Sequence, residues 1–390
     1  MPSNGTYNIL MYSHDTYGLG HIRRTMAIAR TLVQPDVNIL ILTGSPIAGR
    51  YNLPHGVDFV RIPGMIKQSN TVYVPHSIKV DPQQAIAIRR NIITAATRTF
   101  KPDLFIVDKV PVGLKGEIKP TLKWLRRNSP ETRIVLGLRD ILDNSENTCK
   151  EWSRKNYTEV LRELYTEIWV YGDQSLYDPV VEYAIPGDIA AKTHFTGYIP
   201  RKRPKRVGNG RKKEKLVVVT IGGGGDGYPV LDNYLTMLEN NGSVDFKTLM
   251  VTGPFLAEDK LDSLAQRARK LGVRFTAFVK NLEKKIAQAD LVISMGGYNT
   301  LCEILSQKKV ALIIPRDTPR EEQLIRARVF AERGLVDYIQ WDRLSPEAMR
   351  AKVDAMLEDP WPYQNAMQNF SMTGLDFMRS RLAQFRNNED

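Results

Sequence analysis

The feature that most constrains this chain is an alternation that runs twice. Strand-length apolar runs stand at Asn8–Ser13, Val37–Thr43, Phe59–Ile62, Leu104–Asp108, Arg133–Leu138, Ile168–Tyr171 and His194–Gly197. Helix-length segments lie among them, at His21–Val33, Pro82–Phe100 and Leu114–Asn128. After a basic segment the pattern restarts. Strands are predicted at Leu216–Ile221, Phe246–Val251, Val273–Phe278, Leu291–Ser294 and Val310–Ile314. Helices are predicted at Val230–Asn240, Glu258–Leu271, Leu282–Gln288, Tyr298–Ser306 and Glu321–Glu332. Strands alternating with helices argue for parallel sheets covered on both faces. Two such series argue for an α/β chain of two doubly wound, Rossmann-like domains. Ligands are then expected at the carboxyl ends of the strands.

The boundaries follow from the same pattern: an N-terminal domain over 1–200, a linker over 201–215 and a C-terminal domain over 216–360. A helical segment over 361–390 completes the chain. That last segment has helical apolar spacing after Pro360 and Pro362 but no strand. It is expected to pack on the domain junction, crossing back to the N-terminal domain, with the two domains facing each other across a cleft.

At 390 residues the chain is too long for one ordinary core. Its 42% hydrophobic and 25% charged residues suit a soluble globular protein. No apolar run approaches the roughly 18–20 residues that span a bilayer. The opening MPSNGTYNIL lacks a charged leader region, so no signal peptide is expected. Cys149 and Cys302 lie far apart, which gives no disulfide framework and no cysteine-based zinc site and suits a reducing cytoplasm. The net charge of +12 favours anionic partners, and the excess is concentrated in Arg201–Lys215, with nine Lys/Arg and one acid. Such a run is either a solvated linker or a surface for membrane or polyanion. It has no interleaved aromatics, and the chain carries no helix-turn-helix, zinc or RRM signature, which argues against nucleic acid.

Three stretches of the second half carry chemistry. VVVTIGGGGDG (Val217–Gly227) runs from strand into a glycine cluster before a helix. Gly222, Gly224 and Gly227 satisfy G-x-G-x-x-G, but the next strand ends in Leu249–Gly253 without the acid that would bind a dinucleotide's ribose, so NAD is discounted. Four consecutive glycines, Gly222, Gly223, Gly224 and Gly225, exceed what a tight turn needs. They let backbone N–H groups approach a phosphate at a helix N-terminus. In ADLVISMGGYNTLCEIL, a strand ends at Gly296-Gly297 and a helix begins with Asn299 and Thr300 near its cap. Glu303, one turn inside, suits a ribose diol, although a surface glutamate favoured by the helix dipole would read the same way. In ALIIPRDTPREEQLIRA, a polar loop leads into Glu321, Glu322 and Gln323, acceptors that suit sugar hydroxyls or merely an acidic first helical turn.

GGGGDG, SMGGYNTLCEIL and PREEQLIRA, in that order, resemble the C-terminal domain of GT-B glycosyltransferases. The nearest likeness is family 28, which includes the N-acetylglucosaminyltransferase of peptidoglycan lipid synthesis. The likeness covers most of residues 215–335, and a thinner one reaches the first 35. The resemblance implies that Glu303 binds the ribose of UDP and that the backbone at the glycines and at Thr300 faces the diphosphate. It implies that Glu322 and Gln323 contact the donor sugar. Relatives often carry Asp-Gln or Gln-Gln there, so this pair leaves the sugar open. It also makes Phe278 and Val279 candidate uracil contacts through their backbone.

The first half would then bind the acceptor. In the family the first loop often ends Gly-His, as Gly20-His21 does within HDTYGLGHIRR. Sugar transfer needs a base for an acceptor hydroxyl, and a neutral imidazole suits that near pH 7. It also needs the leaving diphosphate charge stabilised. Helix N-termini and cations can do this without metal, and Arg23 and Arg24 are within one turn of His21. His14, at the end of the first strand, is a second candidate. Asp108 and Lys109 end one strand, Arg139 and Asp140 another, so these charges should converge at one edge of the sheet. Either aspartate could itself be the base in place of His21, support His21, bind acceptor hydroxyls or cap a helix.

The sequence therefore predicts a metal-independent hexosyltransferase, cytoplasmic or at the inner face of the membrane. It would use a nucleotide-sugar, with UDP the expected carrier, as co-substrate and need no further cofactor. Its acceptor, lipid-linked or anionic, is unspecified. A UDP-sugar 2-epimerase or nucleotide-sugar hydrolase is the alternative within enzymes. A non-catalytic polyanion- or membrane-binding protein is the alternative outside them.

Overall fold

The structure is a computed structural model. It describes residues 5–14, 20–50, 52–68, 72–204, 214–223, 225–242, 244–254, 256–279 and 281–387. The chain divides into two compact units. Unit 1 comprises 1–140, 145–199 and 373–390, and unit 2 comprises 141–144 and 200–372.

Unit 1 holds strands β1 (Tyr7–Ser13), β2 (Val37–Thr43), β3 (Val57–Arg61), β4 (Met65–Lys67), β5 (Tyr73–Pro75), β6 (Leu104–Asp108), β7 (Arg133–Arg139), β8 (Glu167–Tyr171) and β9 (Thr193–Phe195). β4 and β5 form a separate antiparallel ribbon. The other seven form one parallel sheet in the order β3-β2-β1-β6-β7-β8-β9. Strands buried on both faces read as continuous apolar runs. LFIVD of β6 is buried at all five positions, and Ile9, Leu10, Ile106 and Val107 are closed to solvent. The order reverses between β1 and β6, whose residues Ile9–Tyr12 pair with Leu104–Val107. Such a topological switch opens a crevice at the carboxyl ends of the two strands. His14 and Asp108 lie there.

Unit 2 repeats the plan with β10 (Lys215–Thr220), β11 (Phe246–Val251), β12 (Arg274–Thr276), β13 (Leu291–Ser294), β14 (Ala311–Ile313) and β15 (Asp337–Tyr338). They form a parallel sheet in the order β12-β11-β10-β13-β14-β15. Here the switch lies between β10 and β13, where Thr220 pairs with Ser294. The glycine cluster and the Gly296-Gly297 turn therefore leave neighbouring strand ends.

Several elements differ from the sequence reading. Leu114–Asn128 is a short 3-10 turn, Leu114–Gly116, followed by a helix that starts at Lys119. Gly113, Lys115 and Gly116 all take positive φ, which breaks the helix. The ribbon of β4 and β5 has three residues per strand, too short to show alternation. Helices Ser145–Arg154 and Tyr157–Leu164 fill a stretch without a strong apolar signal.

The segment 361–390 is two helices, one in each unit. Trp361–Gln368 belongs to unit 2 and Gly374–Asn387 to unit 1. The second helix is fixed by aromatic packing. Phe385 stacks on Trp169, with ring centroids 6.4 Å apart, and Phe377 meets the same indole edge-on at 6.0 Å. Arg381 pairs with the buried Glu167 beside them. Of the basic linker, Arg201 and Arg203 are folded onto the helix Tyr298–Ser306. The Arg201 N–H donates to Ser306 Oγ (2.8 Å) and Arg203 Nε to the Ser306 carbonyl (2.6 Å). Residues 205–213 lie outside the described residues.

Candidate active site

In unit 1 the helix Gly20–Leu32 buries a broad face of Ile22, Arg24, Thr25, Met26, Ile28, Ala29 and Leu32. His21 lies one turn before Arg24, so their side chains share a face. That face looks onto the end of β6. His21 Nδ1 is 2.5 Å from Asp108 Oδ2. Arg24 donates to Asp108 Oδ1 through Nη2 (2.6 Å) and Nε (3.2 Å), and its Nη2 is 3.0 Å from His21 Nδ1. Burial by itself would raise the Asp108 carboxyl. The Arg24 guanidinium and His21 outweigh it, and hold Asp108 well below the usual carboxylate range.

The ionised carboxylate can only accept, so the proton between it and the ring sits on Nδ1. The Nε2 lone pair of His21 has no hydrogen-bond partner among the described residues. Burial, only partly offset by Asp108, lowers the ring's pKa to about 4, so the imidazole is neutral at pH 7. The His21 side chain keeps 15% exposure, against 1% for Arg24.

His14 stands beside this group, its ring edge-on to His21 with centroids 5.9 Å apart. It is buried, and burial followed by the Lys109 cation pushes its pKa well below the ordinary value. Beneath it, Tyr12 donates to Glu117 (2.6 Å), which also takes two bonds from the fully buried Arg89. This network fastens the end of β1 to the helix Pro82–Phe100.

Two sequence expectations change here. Arg24 is not a free cation for a phosphate, because its guanidinium is buried against Asp108. Asp140 does not support His21, whose polar partners are Asp108 and Arg24. Asp140 is buried elsewhere, accepting from Tyr198 Oη at 3.1 Å. Arg23 is half-buried on the next face of the helix, and Lys109, with φ 70°, and Arg139 end β6 and β7 as expected.

In unit 2 the glycine cluster and the Gly296-Gly297 turn meet. A Cβ built on Gly222 would lie 4.0 Å from Thr300 Oγ1. Gly253, at the end of β11 with φ +79°, comes so close that a Cβ there would fall 2.3 Å from the Gly222 carbonyl. Gly222 and Gly296 also take positive φ. Gly227 and Gly297 begin the helices Tyr228–Asn241 and Tyr298–Ser306, and neither helix has a side-chain cap. The first-turn N–H groups of Tyr298–Ser306 thus lie beside the glycine turn at Gly222, the arrangement that binds phosphate. Gly223 and Gly225 are exposed on it, and Gly224 lies outside the described residues.

The remaining expected donor contacts vary in availability. Asn299 and Thr300 fall in the first turn, near the Gly297 cap as expected, and the Asn299 side chain accepts from Arg201 at 2.6 Å. That bond occupies the side-chain oxygen of Asn299 and not its amide nitrogen. Glu303 is on the next turn and buried. Beyond the end of β12, the Phe278 carbonyl accepts from Thr276 Oγ1, while the residue is 61% exposed. Val279 beside it is half-buried. Glu321 Oε1 accepts from Asn144 Nδ2 (2.6 Å), and its N–H donates to Asp143 (2.9 Å), so segment 141–144 caps the helix Glu322–Glu332.

Sequence reasoning passed over one residue at this site, Arg316. Its guanidinium donates to Glu322 Oε1 (2.9 Å) and to the Thr318 and Arg320 carbonyls, and its Nε lies 3.5 Å from Asp226 of the glycine loop. With the Gln323 amide oriented so that its nitrogen donates to the Met295 carbonyl (2.6 Å), its oxygen accepts from Arg316 Nε (3.2 Å). The local sequence does not signal this role, since Asp226 is far away in the chain.

Residues 218–380 match the family model described as the glycosyltransferase family 28 C-terminal domain. Two relatives carry the name UDP-N-acetylglucosamine–N-acetylmuramyl-(pentapeptide) pyrophosphoryl-undecaprenol N-acetylglucosamine transferase. The one from Streptococcus gordonii is 26% identical over 40% of this chain and 42% of its own. One from Bacillus cereus is 24% identical over 53% of this chain and 59% of its own. The chain spans about half the length of the curated relatives it matches. Among solved structures, UGT71G1 of Medicago truncatula complexed with UDP-glucose aligns over 98% of both chains, with TM-score 0.66 and 11% identity. MurG of Acinetobacter baumannii aligns over 97% of this chain and 99% of its own, with TM-score 0.61 and 14% identity. The fold is that of the GT-B glycosyltransferases, and residues 218–380 are similar to the family 28 C-terminal domain.

Proposed function

We propose that this protein transfers a sugar from a nucleotide-sugar, with UDP as carrier, to an acceptor hydroxyl. The observation that carries the reading is the Asp108–His21 pair: a neutral imidazole whose tautomer leaves Nε2 as a lone-pair base. In the reaction, Nε2 takes the proton from the acceptor hydroxyl and that oxygen attacks the anomeric carbon. The bond from that carbon to the β-phosphate oxygen breaks, and UDP departs with the electron pair. Asp108 holds the ring and stabilises the imidazolium that forms.

The donor belongs to unit 2. Backbone N–H groups at Gly222, Gly223 and the first turn of Tyr298–Ser306 meet the diphosphate, without recourse to metal. Glu303 takes the ribose, the Phe278 ring and the Val279 backbone the base, and Glu322 with Gln323 the sugar. Support comes from the family 28 match over this unit and from the donor named in the relatives' titles. The epimerase, hydrolase and non-catalytic readings draw no comparable support.

For the acceptor, an anionic, lipid-linked hydroxyl met at the inner face of a membrane is the class to test first. The net charge of +12 suits it, and the relatives' titles name a pyrophosphoryl-undecaprenol. Among the described residues no helix is long and apolar enough to cross a membrane.

Calorimetric titration with UDP, paired with turnover assays on wild type and His21→Ala, tests the reading. His21→Ala should keep the UDP dissociation constant within about twofold and lose turnover by about 10²–10⁴-fold, the usual share of a general base. Unchanged turnover would remove His21 from the chemistry.

A further inference from the structure

We infer that Arg316 is the cation that meets the diphosphate of the donor, and that Asp226 is its counter-ion until the donor arrives. The inference rests on the nucleotide-sugar reading above and deepens it. A departing nucleoside diphosphate needs positive charge close to its phosphates, beyond what backbone N–H groups provide. The cation nearest to His21, Arg24, is committed to Asp108 and closed to solvent.

Arg316 lies at the other site, where the glycine loop, the end of β13 and the loop after β14 converge. It touches each of them: Asp226 on the first, Met295 through the Gln323 amide on the second, and the Thr318 and Arg320 carbonyls on the third. Its guanidinium is therefore held in place before any ligand binds.

Its bonds leave capacity for an anion. Both Nη1 hydrogens go to carbonyls, and one Nη2 hydrogen goes to Glu322. Nε is shared between Gln323 and the longer contact to Asp226. The second Nη2 hydrogen has no partner among the described residues, and the side chain keeps 16% exposure. Asp226, 65% exposed, is an anion on a glycine-rich loop. It can swing into water at little cost when a phosphate takes its place.

A second observation points to a ligand at the same spot. Glu322 is 5% exposed, and its Oε2 has no hydrogen-bond partner among the described residues, while its Oε1 holds Arg316. A buried carboxylate oxygen left without a donor is costly. A sugar hydroxyl attached to the phosphate that Arg316 binds would supply that donor. The position is thus built for a diphosphate joined to a polyhydroxylated group.

The test is calorimetric titration of UDP and of uridine into wild type, Arg316→Gln, Arg316→Lys and Asp226→Asn. Arg316→Gln should weaken UDP about 10–100-fold and leave uridine within about twofold, and Arg316→Lys should restore part of the UDP affinity. Asp226→Asn should tighten UDP several-fold by removing the competing carboxylate. Unaltered UDP affinity in Arg316→Gln, or equal losses of UDP and uridine, would overturn the assignment. So would weaker UDP binding in Asp226→Asn. A wild type that binds neither UDP nor uridine would instead defeat the nucleotide-sugar reading, and this inference with it.

Discussion

His21 Nδ1 and Asp108 Oδ2 are 2.5 Å apart, although 87 positions separate the residues in the chain. Parallel pairing of β1 with β6 brings the helix after β1 over the end of β6, and the pair forms at the switch point of the sheet. The consequences of this pair can be measured.

The first is a pH profile. Protonation of His21 removes the base, and its pKa lies near 4 in the folded protein. kcat/KM at saturating donor should stay flat from about pH 8 down to about pH 5 and fall tenfold per unit below about 4. An acid limb near 6.5, the ordinary value, would mean that the ring is not held as described.

The same shift is a stability statement. Because the folded pKa is lowered, the unfolded chain binds a proton that the folded chain refuses between about pH 6.5 and 4. The His21 contribution is therefore neutral above 6.5 and turns unfavourable as pH falls through that window. Denaturant unfolding at pH 7 and pH 5 should show a loss about 2 kcal/mol larger in wild type than in His21→Gln, the share of His14 being common to both. Equal losses in both proteins would contradict the linkage.

Asp108→Asn should separate orientation from packing. The amide can present its N–H to the ring and select the wrong tautomer, so turnover should drop by about 10³–10⁴-fold. Arg24 would also lose its buried counter-charge, at a cost of about 3–5 kcal/mol. Asp108→Asn with Arg24→Met should recover much of that stability without recovering turnover. Recovery of turnover would show that Asp108 acts only through the fold.

Gly253 is the sharpest test of the glycine surface. Gly253→Ala would drive a methyl against the Gly222 and Gly223 backbone and strain a left-handed residue. A loss of about 1–3 kcal/mol and at least tenfold weaker UDP binding are expected. Gly297→Ala meets nothing within 4 Å and should cost far less. Thermal unfolding and calorimetry of both variants check this.

Much of this was legible in the sequence, and the misses have physical causes. The doubled alternation led to two parallel sheets because buried strands and amphipathic helices leave different periods in a sequence. The glycine runs marked backbone surfaces because only glycine allows such close approach. Arg24 could have been placed too. It falls in the same helical stripe as Ile28 and Leu32, so it had to be buried and needed a carboxylate. Arg89 shows the same pattern, between Ala85 and Ile93 of its helix, and it is buried against Glu117. The hub at Arg316 could not be read this way. It sits in an irregular loop, and the partner on the glycine loop that gives it meaning, Asp226, lies 90 positions earlier in the chain.

The central claim is that unit 2 holds a uridine-type nucleotide-sugar, and thermal unfolding with a panel of UDP-, GDP- and TDP-sugars tests it most directly. At about 100-fold over the dissociation constant a UDP-sugar should stabilise the protein by about 2.7 kcal/mol, a rise of roughly 3 °C in midpoint for a chain of this length. GDP- and TDP-sugars should give less, and Glu303→Ala should shrink the UDP-sugar shift. No shift with any member of the panel would contradict the account.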